Sequence, residues 1–143
     1  MIEQPVLFFF EKPYPLKERT RLKAFIVKLF KKEQVPFKQL NYIFCSDEEL
    51  LTINRQFLEH DFLTDVITFP LSGKTEPVEG EVYISIDRVK DNARDLGVTV
   101  PVELLRVIFH GALHLCGYKD KTSKQIREIR SREEYYMKLF LKG

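Results

Sequence analysis

Tryptophan is absent from this chain, and methionine, cysteine and histidine occur only two, two and three times. The two cysteines, Cys45 and Cys116, are too few for the framework of a disulfide-stapled secreted fold, so both are read as buried free thiols. No stretch approaches the roughly 20 apolar residues of a membrane-crossing helix, and no membrane association is expected. The first apolar stretch, VLFFF at 6–10, follows a proline and has no basic flank, which marks a strand and not a signal peptide. The expected location is the cytoplasm. Neither internal repeats nor low-complexity segments occur, which removes solenoids and linkers. Strong charge of one sign is lacking too: 23 basic residues oppose 21 acidic ones, for a net charge of +2. A nucleic-acid partner is allowed by that figure without being indicated by it.

What the chain has is an ordinary globular balance, 44% hydrophobic, with twelve Phe and six Tyr to fill a core. Its 143 residues suit one domain, 1–143. A chain of this length buries roughly 70% of its unfolded surface and folds without a metal, which leaves any metal site free for chemistry.

Periodicity predicts strands at 6–10, 40–45, 66–69 and 81–86, the third closed by Pro70 and the last entered through a loop holding Gly73, Pro77 and Gly80. It predicts an amphipathic helix from Pro15 to about Glu33 with Leu22, Phe25, Ile26, Leu29 and Phe30 inside. A second helix, capped by Ser46, runs to about Phe57. A third opens at Asp87 and stops at Gly97, and a fourth, capped by Thr99, runs through His110 and His114 to Gly117. The last spans Ser123 to Leu141 with Ile126, Ile129, Tyr136 and Leu139 inward. The fold class is therefore α+β: a small sheet packed with about five helices.

The chemistry gathers at HGALHLCGYKD, residues 110–120. His110 and His114, four apart on a helix, project from one face and can present two ring nitrogens to one ion. Alone, such a pair is also what two hydrogen-bonded histidines on a helix flank look like. Gly117 can reverse the chain and return Tyr118, Lys119 and Asp120 over the same face, so that Asp120 becomes an oxygen ligand. Three protein ligands leave the fourth position of a zinc ion for water, the catalytic arrangement. His60 is the alternative third ligand, though a substrate-facing or exposed loop residue is the plainer reading. Gly111 stands where the His-Glu-x-x-His proteases carry their general base, which counts against a peptidase.

HGALHLCGY is similar to the H-G-x-L-H-x-x-G-Y-D-H signature of the YbeY family. ELLTINRQFLEHDFLTDVITFP resembles that family's helix-to-strand segment, and EVYIS its G-D-I-x-I strand. The resemblance spans about residues 40–122 and implies a metal-dependent, single-strand-specific endoribonuclease. Such an enzyme acts on 16S ribosomal RNA 3′-end maturation and in ribosome quality control, with single-stranded RNA and the small ribosomal subunit as partners and no DNA. Three positions depart from the pattern: Asp120 replaces the third metal-binding His, Leu58 a phosphate-binding Arg, and Leu63 a Pro.

The resulting assignment gives His110, His114 and Asp120 to one divalent ion, zinc first. Asp65, or Asp61, assists the proton transfer, although either can equally be a turn or cap residue. Arg55, Lys119 and Lys121 are the cations for substrate phosphates. Basic runs on the first helix (Lys17 to Lys32) and near the site (Lys119 to Arg132) are by default solvated faces, the second having the better claim to touch RNA. A non-catalytic, metal-stabilised ribosome-binding module is the rival from another class.

Overall fold

The computed structural model describes residues 4–60 and 63–143. Four strands, β1 (Val6–Phe10), β2 (Phe37–Cys45), β3 (Val66–Pro70) and β4 (Val78–Ser85), form one sheet in the order β1-β2-β4-β3. The pairs β1·β2 and β2·β4 are parallel and β3 runs antiparallel to β4. Five helices accompany them: α1 (Arg19–Lys32), α2 (Asp47–Leu58), α3 (Ile86–Leu96), α4 (Val100–Leu115) and α5 (Ser123–Lys142). Among the described residues no single helix is long and apolar enough to cross a membrane.

Alternation along the strands decides which residues face which layer. Val6, Leu40, Tyr42, Phe44, Val82 and Ile84 point to one face, where α1, α4 and α5 cover them in the main core. Cys45, Ile67, Phe69 and Tyr83 point to the other, where Leu50 and Ile53 of α2 meet them. α4 is the central helix: Leu104, Leu105, Val107, Ile108, Phe109, Ala112 and Leu113 are all buried. Tyr42 Oη donates to the Ile108 carbonyl at 2.8 Å, fastening the sheet to the middle of that helix. Only the stripe Arg106, His110, His114, spaced by four, escapes full burial over those turns.

The approach of α4 to β4 is set by missing side chains. A Cβ on Gly111 would stand 2.6 Å from Val82 Cγ1, and one on Gly80 would stand 3.1 Å from both Leu115 Cδ1 and the Phe69 carbonyl. Gly80, paired with Leu40 and Pro70, thus lies inside β4 and not in the preceding loop, and its missing side chain eases the approach of helix and neighbouring strand.

Other boundaries moved as well. α1 begins at Arg19 and not at Pro15: Pro13 and Pro15 hold the preceding residues extended, and Glu18 at φ 55 breaks any continuation. β2 begins at Phe37 and β4 at Val78, since pairing Phe37 with Val78 recruits Lys38, Gln39 and Glu79, which carry no strand signal of their own. α3 is capped by Ser85, whose Oγ accepts from Arg88 N–H at 3.1 Å, so Asp87 lies within the first turn. On α5, Ile126 is 42% exposed while Glu133 is buried, a reversal of the expected inner face.

Replacing Gly111 by alanine should lower the unfolding free energy by about 1–3 kcal/mol, the usual cost of overpacking a core. Urea melts followed by circular dichroism measure this; a midpoint equal to that of the parent would mean that α4 is free to shift off the sheet.

Candidate metal centre

The polar stripe of α4 meets two other elements. At the helix end Gly117 N–H donates to the His114 carbonyl (3.0 Å) and Tyr118 N–H to the Leu113 carbonyl (3.1 Å), with Gly117 at φ 109. This is a Schellman closure, and it needs glycine at the positive φ. The chain turns back and carries Asp120 over the histidines. On its far side the loop is fixed by the α5 capping box, in which Thr122 Oγ1 accepts from Gln125 N–H and the Gln125 side chain accepts from Lys121 and Thr122 N–H.

The outcome is a cluster of three potential ligands within 4.8 Å of one another: His110, His114 and Asp120. Asp120 Oδ2 is 3.2 Å from His114 Nε2 and 3.5 Å from His110 Nε2. Ligands about 2.0 Å from a tetrahedral ion are separated by about 3.3 Å, so the two distances from Asp120 to the histidines suit zinc.

The other ring nitrogens are occupied. His114 Nδ1–H donates to the Tyr118 carbonyl at 2.9 Å, and a carbonyl only accepts, which fixes the proton on Nδ1. His110 Nδ1 lies 2.5 Å from Glu133 Oε2, which places that ring's proton likewise. In neutral rings both Nε2 atoms are then bare lone pairs directed at a carboxylate oxygen. Acceptor facing acceptor at such distances is repulsive unless a cation stands between them. The residues present fit a divalent metal, and an imidazole backed by a carboxylate is how metal-ligating histidines are held.

Glu133, 1% exposed, is held in turn: Arg106 Nη1 donates to it at 3.2 Å, and Arg106 binds Glu103 through Nε (2.9 Å) and Nη2 (2.5 Å). Glu103 and Glu133 share one guanidinium, with Asp65 3.7 Å from it, so the cluster beneath His110 keeps a net negative formal charge that favours a bound cation. Burial would lower the Arg106 pKa, and the bonds to Glu103 and Glu133 overcome it and hold the guanidinium firmly charged.

A second cluster anchors the loop from behind. Glu33, just past α1, accepts from Tyr118 Oη (2.8 Å), Arg132 Nη2 (2.7 Å) and Tyr136 Oη. Tyr118 thereby ties α1 to the peptide that orients His114.

The structure brings Asp120 to the two histidines and leaves the other sequence candidates elsewhere. His60 is exposed after α2, its N–H bonded to the Asn54 carbonyl, and is outside the ligand cluster. Asp65 faces Arg106 (3.7 Å) and Asn92 Nδ2 (3.3 Å), beside the stripe and not in the triplet; Asp61 lies outside the described residues. Lys119 and Lys121 are exposed on either side of Asp120, and Arg55 is exposed in the last turn of α2. Leu58 and Leu63 are both exposed. Cys45 is buried and Cys116 partly so; burial pushes each thiol up to about 12, as expected of unreactive thiols. Gly111 packs on Val82, so no base occupies the protease position. Sequence reasoning missed Glu133, Glu103 and Arg106. The available signal was an acid on an otherwise apolar stripe, since Ile129, Glu133, Tyr136 and Phe140 share the buried face of α5.

The chain resembles known proteins over nearly its whole length. Residues 13–140 match the sequence-family model described as Endoribonuclease YbeY. The protein of that name from Cytophaga hutchinsonii is 48% identical over 140 residues, 97% of this chain and 98% of that one. Its counterpart from Flavobacterium psychrophilum is 43% identical over 135 residues, 94% of this chain and 96% of that one. Among solved structures, the solution structure of TM1509 from Thermotoga maritima superposes with a TM-score of 0.64 at 32% identity, covering 94% of this chain and 88% of that one.

Two outcomes follow from the supports. Glu133→Gln should weaken metal binding about 10- to 100-fold, as loss of a carboxylate behind a ligating imidazole does. Titration against a chromophoric chelator reads this, and unchanged affinity would detach Glu133 from the site. For Glu33, burial alone would raise the pKa, but the bonds from Tyr136, Arg132 and Tyr118 hold it below its ordinary 4.5. A lowered folded pKa stabilises the chain above the unfolded value and ceases to do so as pH falls through the folded one. Glu33→Gln should accordingly melt lower than the parent at neutral pH, with the gap narrowing in acid; parallel melting-versus-pH curves would contradict this.

Proposed function

Because the chain belongs to the YbeY endoribonuclease family, we propose that it is a metal-dependent, single-strand-specific endoribonuclease that hydrolyses RNA phosphodiesters. Its proposed place is the cytoplasm, in 16S ribosomal RNA 3′-end maturation and ribosome quality control on the small subunit. The observation that carries metal dependence is the convergence of His110 Nε2, His114 Nε2 and Asp120 Oδ2, with Asp120 3.5 and 3.2 Å from the two nitrogens. Two imidazoles and one carboxylate are a donor set that zinc accepts, with another divalent ion as substitute. When bound, such an ion supplies positive charge for the phosphate and acidifies the attacking water.

The chain's own part is to hold and to orient. Glu133 and the Tyr118 carbonyl fix both imidazoles in the tautomer that leaves Nε2 free. Asp65, beside the stripe and 3.7 Å from Arg106, is the residue proposed to assist the proton transfer. Lys119 and Lys121, exposed beside Asp120, and Arg55 are the cations proposed for the RNA backbone.

The test is cleavage of a single-stranded RNA by zinc-loaded parent, His114→Ala and Asp120→Ala, prepared identically. Both variants should lose more than about a hundredfold in rate, the scale of losing a transition-state charge stabiliser. Equal rates in parent and His114→Ala would reject the nuclease site. Zinc bound by the parent without cleavage would favour a binding module.

A further inference from the structure

The basic run of α1 occupies a groove that the reaction site does not use. Across its 14 residues α1 carries six basic side chains and no acidic one, although the whole chain nets only +2. Positive charge is therefore concentrated on this helix. Those cations do not all point alike. Arg19 and Lys23 lie over the Phe10 and Phe8 rings toward β1. Lys28, Lys31 and Lys32 line a groove of about 790 Å³ between α1 and the end of α5, floored by Phe25 and Leu139. Arg21 closes it, stacked on the Phe140 ring at 3.7 Å. Among the described residues Lys28 and Lys31 pair with no acid, and Glu33, the nearest acid along the chain, is engaged by Arg132, Tyr118 and Tyr136.

One end of the groove lies next along the chain to a residue that anchors the loop of the metal centre. Its Lys31–Lys32 end abuts Glu33, which binds Tyr118 Oη, and the Tyr118 carbonyl orients His114. At the same end Tyr135 is 39% exposed, with Lys32 Nζ 5.8 Å and Arg132 Cζ 4.5 Å from its ring centre. Lys28 and Lys31, with no acidic partner among the described residues, near a partly exposed ring whose hydroxyl accepts from Lys32 Nζ at 3.4 Å, suit a single strand, whose phosphates take the cations and whose bases take the ring. An acidic peptide would satisfy the lysines and leave the ring unused.

We propose that the α1–α5 groove binds the backbone of the RNA strand beyond the cleavage position, through Lys28, Lys31 and Lys32. This rests on RNA being the substrate. The groove adds affinity for long strands without touching the reacting bond.

Each phosphate contact on a single strand contributes about 0.7 to the slope of log affinity against log salt. Removing two should flatten that slope by about 1.4 and weaken binding about 25-fold at roughly 0.1 M monovalent salt. Lys28→Gln/Lys31→Gln is placed in a His114→Ala background, and binding of a labelled single strand of roughly sixteen nucleotides is read by fluorescence anisotropy. In the parent background, cleavage of a strand of roughly four nucleotides should be unchanged by the same pair. Unaltered long-strand affinity and slope would overturn the proposal, as would equal losses on long and short strands. Poly-glutamate bound by the parent and released by the pair, with RNA unaffected, would reassign the groove to an acidic protein segment. Failure of His114→Ala to abolish cleavage would sink the nuclease reading alone, since the affinity comparison does not depend on it.

Discussion

The contact between Glu133 and His110 Nδ1 is the one on which the site depends. It fixes the tautomer of His110, and with it the direction of the lone pair on Nε2. It places a carboxylate in the interior, where an isolated charge is costly. Arg106 offsets that cost but is shared with Glu103, so the group retains a negative formal charge. Replacing such a cluster by apolar residues is often neutral or stabilising in other proteins. Its presence here is therefore better explained by what it does for His110 than by what it adds to stability.

Packing supplies the other constraint. α4 lies against β4 through Gly111 and against β2 through the Tyr42 hydroxyl. With that helix seated, the rotation of its polar stripe is settled, and His110 and His114 emerge where α5 and the return loop can reach them. The same glycine that the chain needs for close packing stands where a protease would carry its base. Physical necessity at that position thus excludes one chemistry while framing another.

The loop that delivers Asp120 is held from three sides: the Schellman turn at Gly117, the Thr122–Gln125 capping box, and the Tyr118 hydroxyl on Glu33. Asp120 is 44% exposed even so. A partly open carboxylate beside two enclosed imidazoles leaves one side of the centre accessible, as a site that must admit a polymer requires. The same Glu33 follows directly on α1, so the helix that carries the basic groove also anchors the loop of the centre.

Much of the element order was legible without coordinates, because strand alternation, Ser46 and Thr99 as caps, and Gly97 and Gly117 as stops are local signals. So were His110, His114 and the return of Asp120, which need only helix geometry and one glycine. The polar beginnings of β2 and β4, and the burial of Glu133 in place of Ile126, were not legible in the same way. Each depends on a partner distant in sequence: Phe37 on Val78, Gly80 on Leu115, Glu133 on His110. The sequence by itself determined which residues can ligate and that they share a helix face, since those follow from the 3.6-residue period. Only the tertiary structure decided which imidazole nitrogen is free, because that is set by the acceptor opposite Nδ1, and folding alone brings it there.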